Sequence, residues 1–246
     1  MSEMIHPVHV PQTNSEIAFL NQRYHESVDE YNQLISYYEA GIREIHARLQ
    51  TLDQDFAHIH QHTPIHHVQW RIKSLPSVLR KLYNLGMQVS VTSAKKNLHD
   101  IAGVRVICCY TEDIHTIANL LVQQEDLQII EVKDYIAKPK PNGYRSLHLV
   151  VDVPIYVTRG KAYVKVEIQI RTVAMDFWAT LEHRIRYKAS GAVPQEIVDE
   201  LKECADIIAS TDDRMERISK ELRRLNVNNE EYAWQSVIER NYNREL

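Results

Sequence analysis

Three short polar strings interrupt apolar, strand-like surroundings: His99-Asp100-Ile101-Ala102-Gly103-Val104-Arg105, the loop and strand start from Lys138 to His148, and Val166-Glu167-Ile168-Gln169-Ile170-Arg171-Thr172. From Tyr163 to Arg171 the residues alternate strictly. Val164, Val166, Ile168 and Ile170 share one face of a strand, and Lys165, Glu167, Gln169 and Arg171 share the other. A carboxylate, an amide and two cations on one face are costly if covered and purposeful if they line a cleft. Glu167 there could hold a metal or take a proton from an attacking hydroxyl, or simply pair with Lys165 or Arg171. Asp100 stands just before another strand, where an oxygen donor can bind Mg²⁺ or merely cap the chain. Arg105 lies inside that strand between Val104 and Val106, a position that needs an anion beside it.

Cations gather at two further places. Arg71, Lys73, Arg80 and Lys81 come with no acid among them, and Ser77 and Lys81 share a face of the helix that follows. In a chain of net charge −4 such a local excess suits a polyphosphate. The loop at 138–146 adds Lys138, Lys140 and Arg145, with Tyr144 released by Gly143. Aromatic rings beside cations suit a nucleobase carrying phosphates. On the strand that follows, Ser146 and His148 point away from the apolar side. The histidines at 58, 60, 62, 66 and 67 permit a transition-metal site by spacing. Without a cysteine or acid in the pattern they read first as a solvated connection.

These groups need elements to hold them. Apolar steps of three and four residues predict a helix from Ser15 to about Leu52, with a break near His25–Asp29, after a loose tail over 1–13. Residues 53–67 read as a connection. Helices follow at Ser74–Leu85, stopped by Gly86, and at Ala94–Leu98. Strand Val104–Tyr110 leads to a helix Thr111–Gln124 capped by Thr111. Strands Leu127–Tyr135, Arg145–Val153 and Ala162–Arg171 come next, the last two joined near Arg159-Gly160. Helices Val173–Tyr187 and Pro194 to about Leu225 close the pattern, and 229–246 reads as a short helix or tail. The fold class is α+β, or mixed α/β.

Bulk properties narrow the function. The 246 residues, 44% apolar and 25% charged, suit one catalytic domain with helical additions. A net charge of −4 argues against a surface that coats nucleic acid, so RNA binding is not indicated. Three cysteines, two adjacent, are neither a disulfide framework nor a zinc spacing, and no apolar run approaches about 20 residues. A soluble cytoplasmic protein, off the membrane, is expected.

Together the strings are equipment for metal-assisted phosphoryl or pyrophosphoryl transfer between nucleotides. HDIAGVRVIC, KPKPNGYRSLHL and VEIQIRTVAMDFWATLEHRIRYK resemble the synthetase domain of the RelA/SpoT superfamily. Residues 65–225 resemble the single-domain small alarmone synthetases of Firmicutes, and the wording KPKPNGYRSLHL and AMDFWATLEH is more similar to the RelP than to the RelQ branch. The resemblance implies a nucleotidyltransferase-like, five-stranded mixed sheet flanked by helices, with a synthetase domain at 63–190 between helical extensions at 1–62 and 191–246. It implies transfer of the β,γ-diphosphate of ATP to the 3′-hydroxyl of GDP or GTP, giving AMP and ppGpp or pppGpp. By motif, Asp100 binds Mg²⁺. Glu167 assists the metal and activates the hydroxyl, and Tyr144 stacks on guanine. Arg71 and Arg105 hold ATP. Lys73, Ser77, Lys81, Lys140 and His148 match phosphate-binding positions, and Gln169 supports the acceptor side. Asp176 falls where some relatives carry Asn near the guanine. The resemblance also implies a homotetramer built through terminal helices and a synthesis-only enzyme without hydrolase or ribosome-control domains. The alternatives are a catalytically idle nucleotide- or RNA-binding regulator on the same fold, or a nucleotidyltransferase that releases pyrophosphate.

Overall fold

The structure is a computed structural model that describes the backbone of residues 14–60, 62–188 and 193–242, and the side-chain surroundings of 28–59, 62–186 and 193–225. The tail expected over 1–13 lies outside the described residues. Among the described residues, six helices and five strands follow in the order α1 (Asn14–His60), β1 (Ile65–Ile72), α2 (Leu75–Asn84), α3 (Val91–Asn97), β2 (Ala102–Cys108), α4 (Thr111–Val122), β3 (Gln128–Asp134), β4 (Leu147–Val157), β5 (Gly160–Thr172), α5 (Val173–Lys188) and α6 (Gln195–Tyr242). The strands form one mixed sheet in the order β1-β2-β5-β4-β3. β2 and β5 run parallel, and the other neighbours are antiparallel.

The alternation in β5 is realised as read. Val164, Val166, Ile168 and Ile170 are buried, and Lys165, Glu167 and Gln169 are half-buried on the other side. The apolar face packs into one core with Tyr31, Leu34, Tyr38, Ile42, Ile45 and Leu49 of α1 and with Ile114, Ile117 and Leu121 of α4. Burying an aliphatic or aromatic side chain stabilises by about 1.5–3 kcal/mol, so this stretch of α1 is a principal support of the sheet. Gly41 lets α1 lie close: a Cβ there would run into the Val164 methyl. The part of the N-terminal stripe expected to reach another subunit is thus covered, from Tyr31 to Leu49, by the chain's own sheet. The opposite face of the sheet keeps its polar row open.

Four local expectations differ. The stretch 53–67, expected to be a connection, is the end of α1 and the start of β1, an edge strand at Ile65–Ile72. Its alternation is masked because His66, Gln69, Trp70 and Arg71 are all exposed. No break occurs at His25–Asp29; α1 runs through. The cap of α4 is Tyr110, whose backbone N–H donates to Asp113 Oδ2 at 3.0 Å, so Thr111 is already helical. α6 continues to Tyr242 where a separate element was expected after Leu225.

α6 fastens the far end of the sheet. Trp178 Nε1 donates to the Leu201 carbonyl at 2.8 Å, Thr172 Oγ1 to Asp212 Oδ2 at 2.5 Å, and Arg145 Nη2 to Asp206 Oδ1 at 3.3 Å. Gly143 (φ 88°) sits so close to α6 that a Cβ would lie 2.5 Å from the Ala205 Cβ. Gly143→Ala combines a left-handed backbone with overpacking, each costing about 1–3 kcal/mol. The expected result is a loss of about 2 kcal/mol or more in denaturant unfolding. A wild-type midpoint would show that the loop yields freely.

Candidate active site

The sheet register assembles the site. Gln69 of β1, Arg105 of β2, Gln169 of β5 and His148 of β4 stand side by side across four strands. The neighbouring row runs Arg71, Gly103, Glu167. Gly103 puts no side chain between Arg71 and Glu167, so the rows form the floor of a cleft of about 260 Å³ lined by Arg71, Asp100, Gly103, Arg105, Glu167 and Gln169. Asp100 reaches it from the link between α3 and β2.

Asp100 is gripped through one oxygen. Lys73 Nζ donates to Oδ2, and Lys81 Nζ does so at 2.7 Å. Its other oxygen, Oδ1, is buried with no hydrogen-bond partner among the described residues. A buried, unsatisfied carboxylate oxygen is costly unless something completes it. Burial raises the Asp100 pKa, but the bonds and charges of Lys73 and Lys81 outweigh it and hold the carboxyl below its usual range. The cleft therefore contains an ionised oxygen donor with a free lone pair. Glu167 supplies a second carboxylate, close enough that the Asp100 charge acts on it. Two carboxylates are a suitable protein share for a hard divalent ion that also takes water and phosphate oxygens. Among the described residues no group of three or more His, Cys, Asp or Glu could hold a metal by itself.

Glu167 belongs to a continuous network. His148 Nδ1 lies 3.3 Å from its Oε1, and Gln169 Nε2 donates to its Oε2 at 3.0 Å. Burial raises its pKa, while the His148 and Gln169 bonds more than offset that, so Glu167 too is held low. The simple pairing with Lys165 is not made, because Lys165 turns to Asp152 at 3.3 Å. His148 Nε2 is 2.9 Å from the Tyr144 hydroxyl, and Arg171 Nη2 donates to that hydroxyl at 2.9 Å. A guanidinium can only donate, so the tyrosine proton is left for His148 Nε2 and the Nδ1 proton for Glu167. Arg171 Nη2 also donates to Gln169 Oε1 at 2.6 Å. Asp176, at the start of α5, meets Arg105 Nη1 at 3.2 Å and Arg171 Nη1 at 3.5 Å.

Tyr144 is less exposed than its place after Gly143 implied. It is half-buried, edge-on to Tyr135 and His148, with Lys140 Nζ 4.8 Å from its ring centre. Burial pushes its hydroxyl pKa up, which the Arg171 charge partly counters. The expected residues thus converge, except that Ser77 is exposed on α2, bonded to Ser74 Oγ at 3.0 Å and one turn from Lys81. Arg171, expected only on the polar face of its strand, is the hub of the network. Gln69 and Trp70 of the unread strand β1 also line the cleft. The histidines divide: His62 binds Asp113 at 2.9 Å, His66 and His67 meet each other at 2.7 Å, and His58 is exposed on α1.

A family model described as the region found in RelA / SpoT proteins matches residues 70–192. The chain is 45% identical over 195 residues to a Bacillus subtilis protein named GTP pyrophosphokinase YwaC, covering 79% of this chain and 93% of that one. The solved small alarmone synthetase 2 of B. subtilis matches with TM-score 0.71 at 44% identity, over 78% of this chain and 99% of that chain. Small alarmone synthetase 1 of the same organism, bound to its product pppGpp, matches with TM-score 0.71 at 33% identity, over 78% and 97%.

Proposed function

Because this chain belongs to the RelA/SpoT family, we infer that it is a GTP pyrophosphokinase, an alarmone synthetase that moves the β,γ-diphosphate of ATP to the 3′-hydroxyl of GDP or GTP. The observation that carries this reading is the pairing of Asp100, with its unsatisfied buried Oδ1, and Glu167 in one cation-rimmed cleft. The acceptor's 3′-oxygen attacks the β-phosphorus, the Pα–O–Pβ bond breaks, and AMP leaves with the electron pair. Glu167, ionised and held by His148 and Gln169, takes the hydroxyl proton. Lys73, Lys81, Arg71 and Arg105 bind the donor, and Ser77 stands beside them. Lys140, His148 and Gln169 bind the acceptor, whose guanine lies on Tyr144, and Asp176 stands near it between Arg105 and Arg171. A divalent cation, Mg²⁺ in this proposal, is held by Asp100 and Glu167 and supplies neutralisation of the phosphate charge. Lys73 and Lys81 turn from Asp100 Oδ2 toward the phosphates when ATP enters, which keeps the charge balanced.

Chromatography of ATP with GDP or GTP tests this directly. AMP and a tetra- or pentaphosphorylated guanosine should form in equal amounts, and excess EDTA should stop both. Release of pyrophosphate instead would exclude the diphosphate transfer. Synthesis without hydrolysis is also proposed, supported by relatives named as a GTP pyrophosphokinase and as alarmone synthetases and matched over 93% to 99% of their lengths. A cytoplasmic location is proposed, supported by free cysteines at 108, 109 and 204 and by the lack, among the described residues, of a helix long and apolar enough to cross a membrane.

The domain division at 62 and 190 and a homotetramer complete the proposal. α5 exposes Val173, Phe177, Leu181 and Ile185 one turn apart, and α6 exposes Met215, Ile218, Leu222 and Leu225. Such stripes fit burial against further copies of the chain. Light scattering should give four chains, and Phe177→Asp with Leu181→Asp should lower the mass. A wild-type monomer at micromolar concentration would remove the tetramer.

A further inference from the structure

One carboxylate oxygen is shared by two guanidinium groups at the boundary between the donor and acceptor sides. Asp176 Oδ1 lies 3.2 Å from Arg105 Nη1 and 3.5 Å from Arg171 Nη1. The two arginines differ in freedom. The Arg105 side chain is 31% exposed and lines the cleft, whereas that of Arg171 is 2% exposed. Arg171 is nevertheless incompletely satisfied: its Nε is buried without a hydrogen-bond partner among the described residues. Through Nη2 it holds the Tyr144 hydroxyl and the Gln169 amide oxygen, and Gln169 in turn holds Glu167. The row is therefore Arg105, Asp176, Arg171, then Tyr144 and Gln169, with the more exposed member at one end and the acceptor-side groups at the other.

We propose that Asp176 is a positioning residue that relays donor binding to the acceptor side by exchanging its partner from Arg105 to Arg171. The relay rests on the synthetase reading above, in which Arg105 contacts ATP. In the nucleotide-free chain Asp176 is drawn toward Arg105. When ATP takes Arg105, the carboxylate loses its nearer cation and closes on Arg171, whose long 3.5 Å contact shortens to an ordinary charged hydrogen bond. A buried arginine fixed in that way holds Tyr144 and Gln169 in one arrangement, so the acceptor meets a site already ordered. Thermodynamic reciprocity requires the acceptor to tighten ATP by the same factor. Arg171 cannot itself swing to a nucleotide without leaving its buried place, which confines the exchange to Asp176.

The test uses the full chain with Mg²⁺ and the non-reactive donor AMPCPP, in which the bond to be broken carries a methylene. Calorimetry gives the GDP dissociation constant without donor and with saturating donor. The wild-type ratio should be at least about fivefold in favour of tightening, the lower range of ordinary site coupling. Asp176→Asn, which keeps size but loses the charge both arginines compete for, should bring that ratio to within twofold of one. Arg105→Gln, altered at the exposed end where folding is least at risk, should do the same at saturating AMPCPP. A merely structural Asp176 would weaken GDP in both conditions and leave the ratio as in the wild type, and that result overturns the relay. A wild type that binds both nucleotides independently overturns it as well and leaves the synthetase reading standing. Failure of the wild type to bind either nucleotide overturns both.

Discussion

Asp100→Asn and Glu167→Gln each reduce the rate of AMP formation by about 10²-fold or more, with the fold intact. The two substitutions remove different things. Asn at 100 keeps the volume and can still meet Lys73 or Lys81, but the unsatisfied Oδ1 loses its charge as a donor to a divalent ion. Gln at 167 keeps one acceptor for His148 or Gln169 and cannot take a proton. Both sites lie at the cleft rather than in the apolar core, so thermal midpoints should move by only a few degrees while turnover collapses. Both substitutions should raise the Mg²⁺ concentration needed for half-maximal rate, and Glu167→Gln should in addition leave the maximal rate low at saturating Mg²⁺, because the proton acceptor is gone. Near-normal turnover in either purified variant would mean that the cleft is not where the reaction happens.

Replacing Tyr144 with Ala raises the acceptor KM roughly tenfold or more, on a stacking contribution of about 1–3 kcal/mol per base, and changes the ATP KM little. The structure adds a finer expectation. The Tyr144 hydroxyl also joins Arg171 to His148, so ring and hydroxyl have separable roles. Tyr144→Phe keeps the ring beside Lys140 and Tyr135 but breaks the chain of bonds toward Glu167. It should therefore lower kcat more than it raises the acceptor KM. Initial rates with each substrate varied in turn would show this. Equal KM losses for ATP and acceptor in Tyr144→Ala would make Tyr144 a packing residue instead.

Much of this site was readable because strand alternation is a short-range property. Glu167 and Gln169 face away from Val166 and Ile168 whatever else the chain does, and the long motifs fixed the company they keep. The missing strand β1 shows the limit. At a sheet edge, water can satisfy one side of the backbone, so His66, Gln69 and Arg71 carry no apolar alternation to betray the strand. The unbroken course of α6 was hidden for a different reason. Asn226, Asn228 and Asn229 disfavour a helix interior by only a few tenths of a kcal/mol each relative to good formers, too little to end it. Arg171 was hidden by distance along the chain. Its importance comes from Tyr144, 27 positions away, which only the folded sheet brings to it. The same holds for the pairing of Arg145 with Asp206, 61 positions away.

The grip of α6 on Gly143 and Arg145 has a consequence for the order in which the protein becomes competent during translation. The sheet, the two lysines on Asp100 and the Arg71–Arg105 side of the cleft use residues made before α6 leaves the ribosome. The segment that carries Tyr144 rests through Gly143 and Arg145 on Lys202, Ala205 and Asp206, all made later. A nascent chain can thus form its donor side while its acceptor side is still untethered. On the site assignment proposed above, the two nucleotides meet productively only once α6 has docked, so a chain whose α6 is not yet made would bind ATP without passing it on.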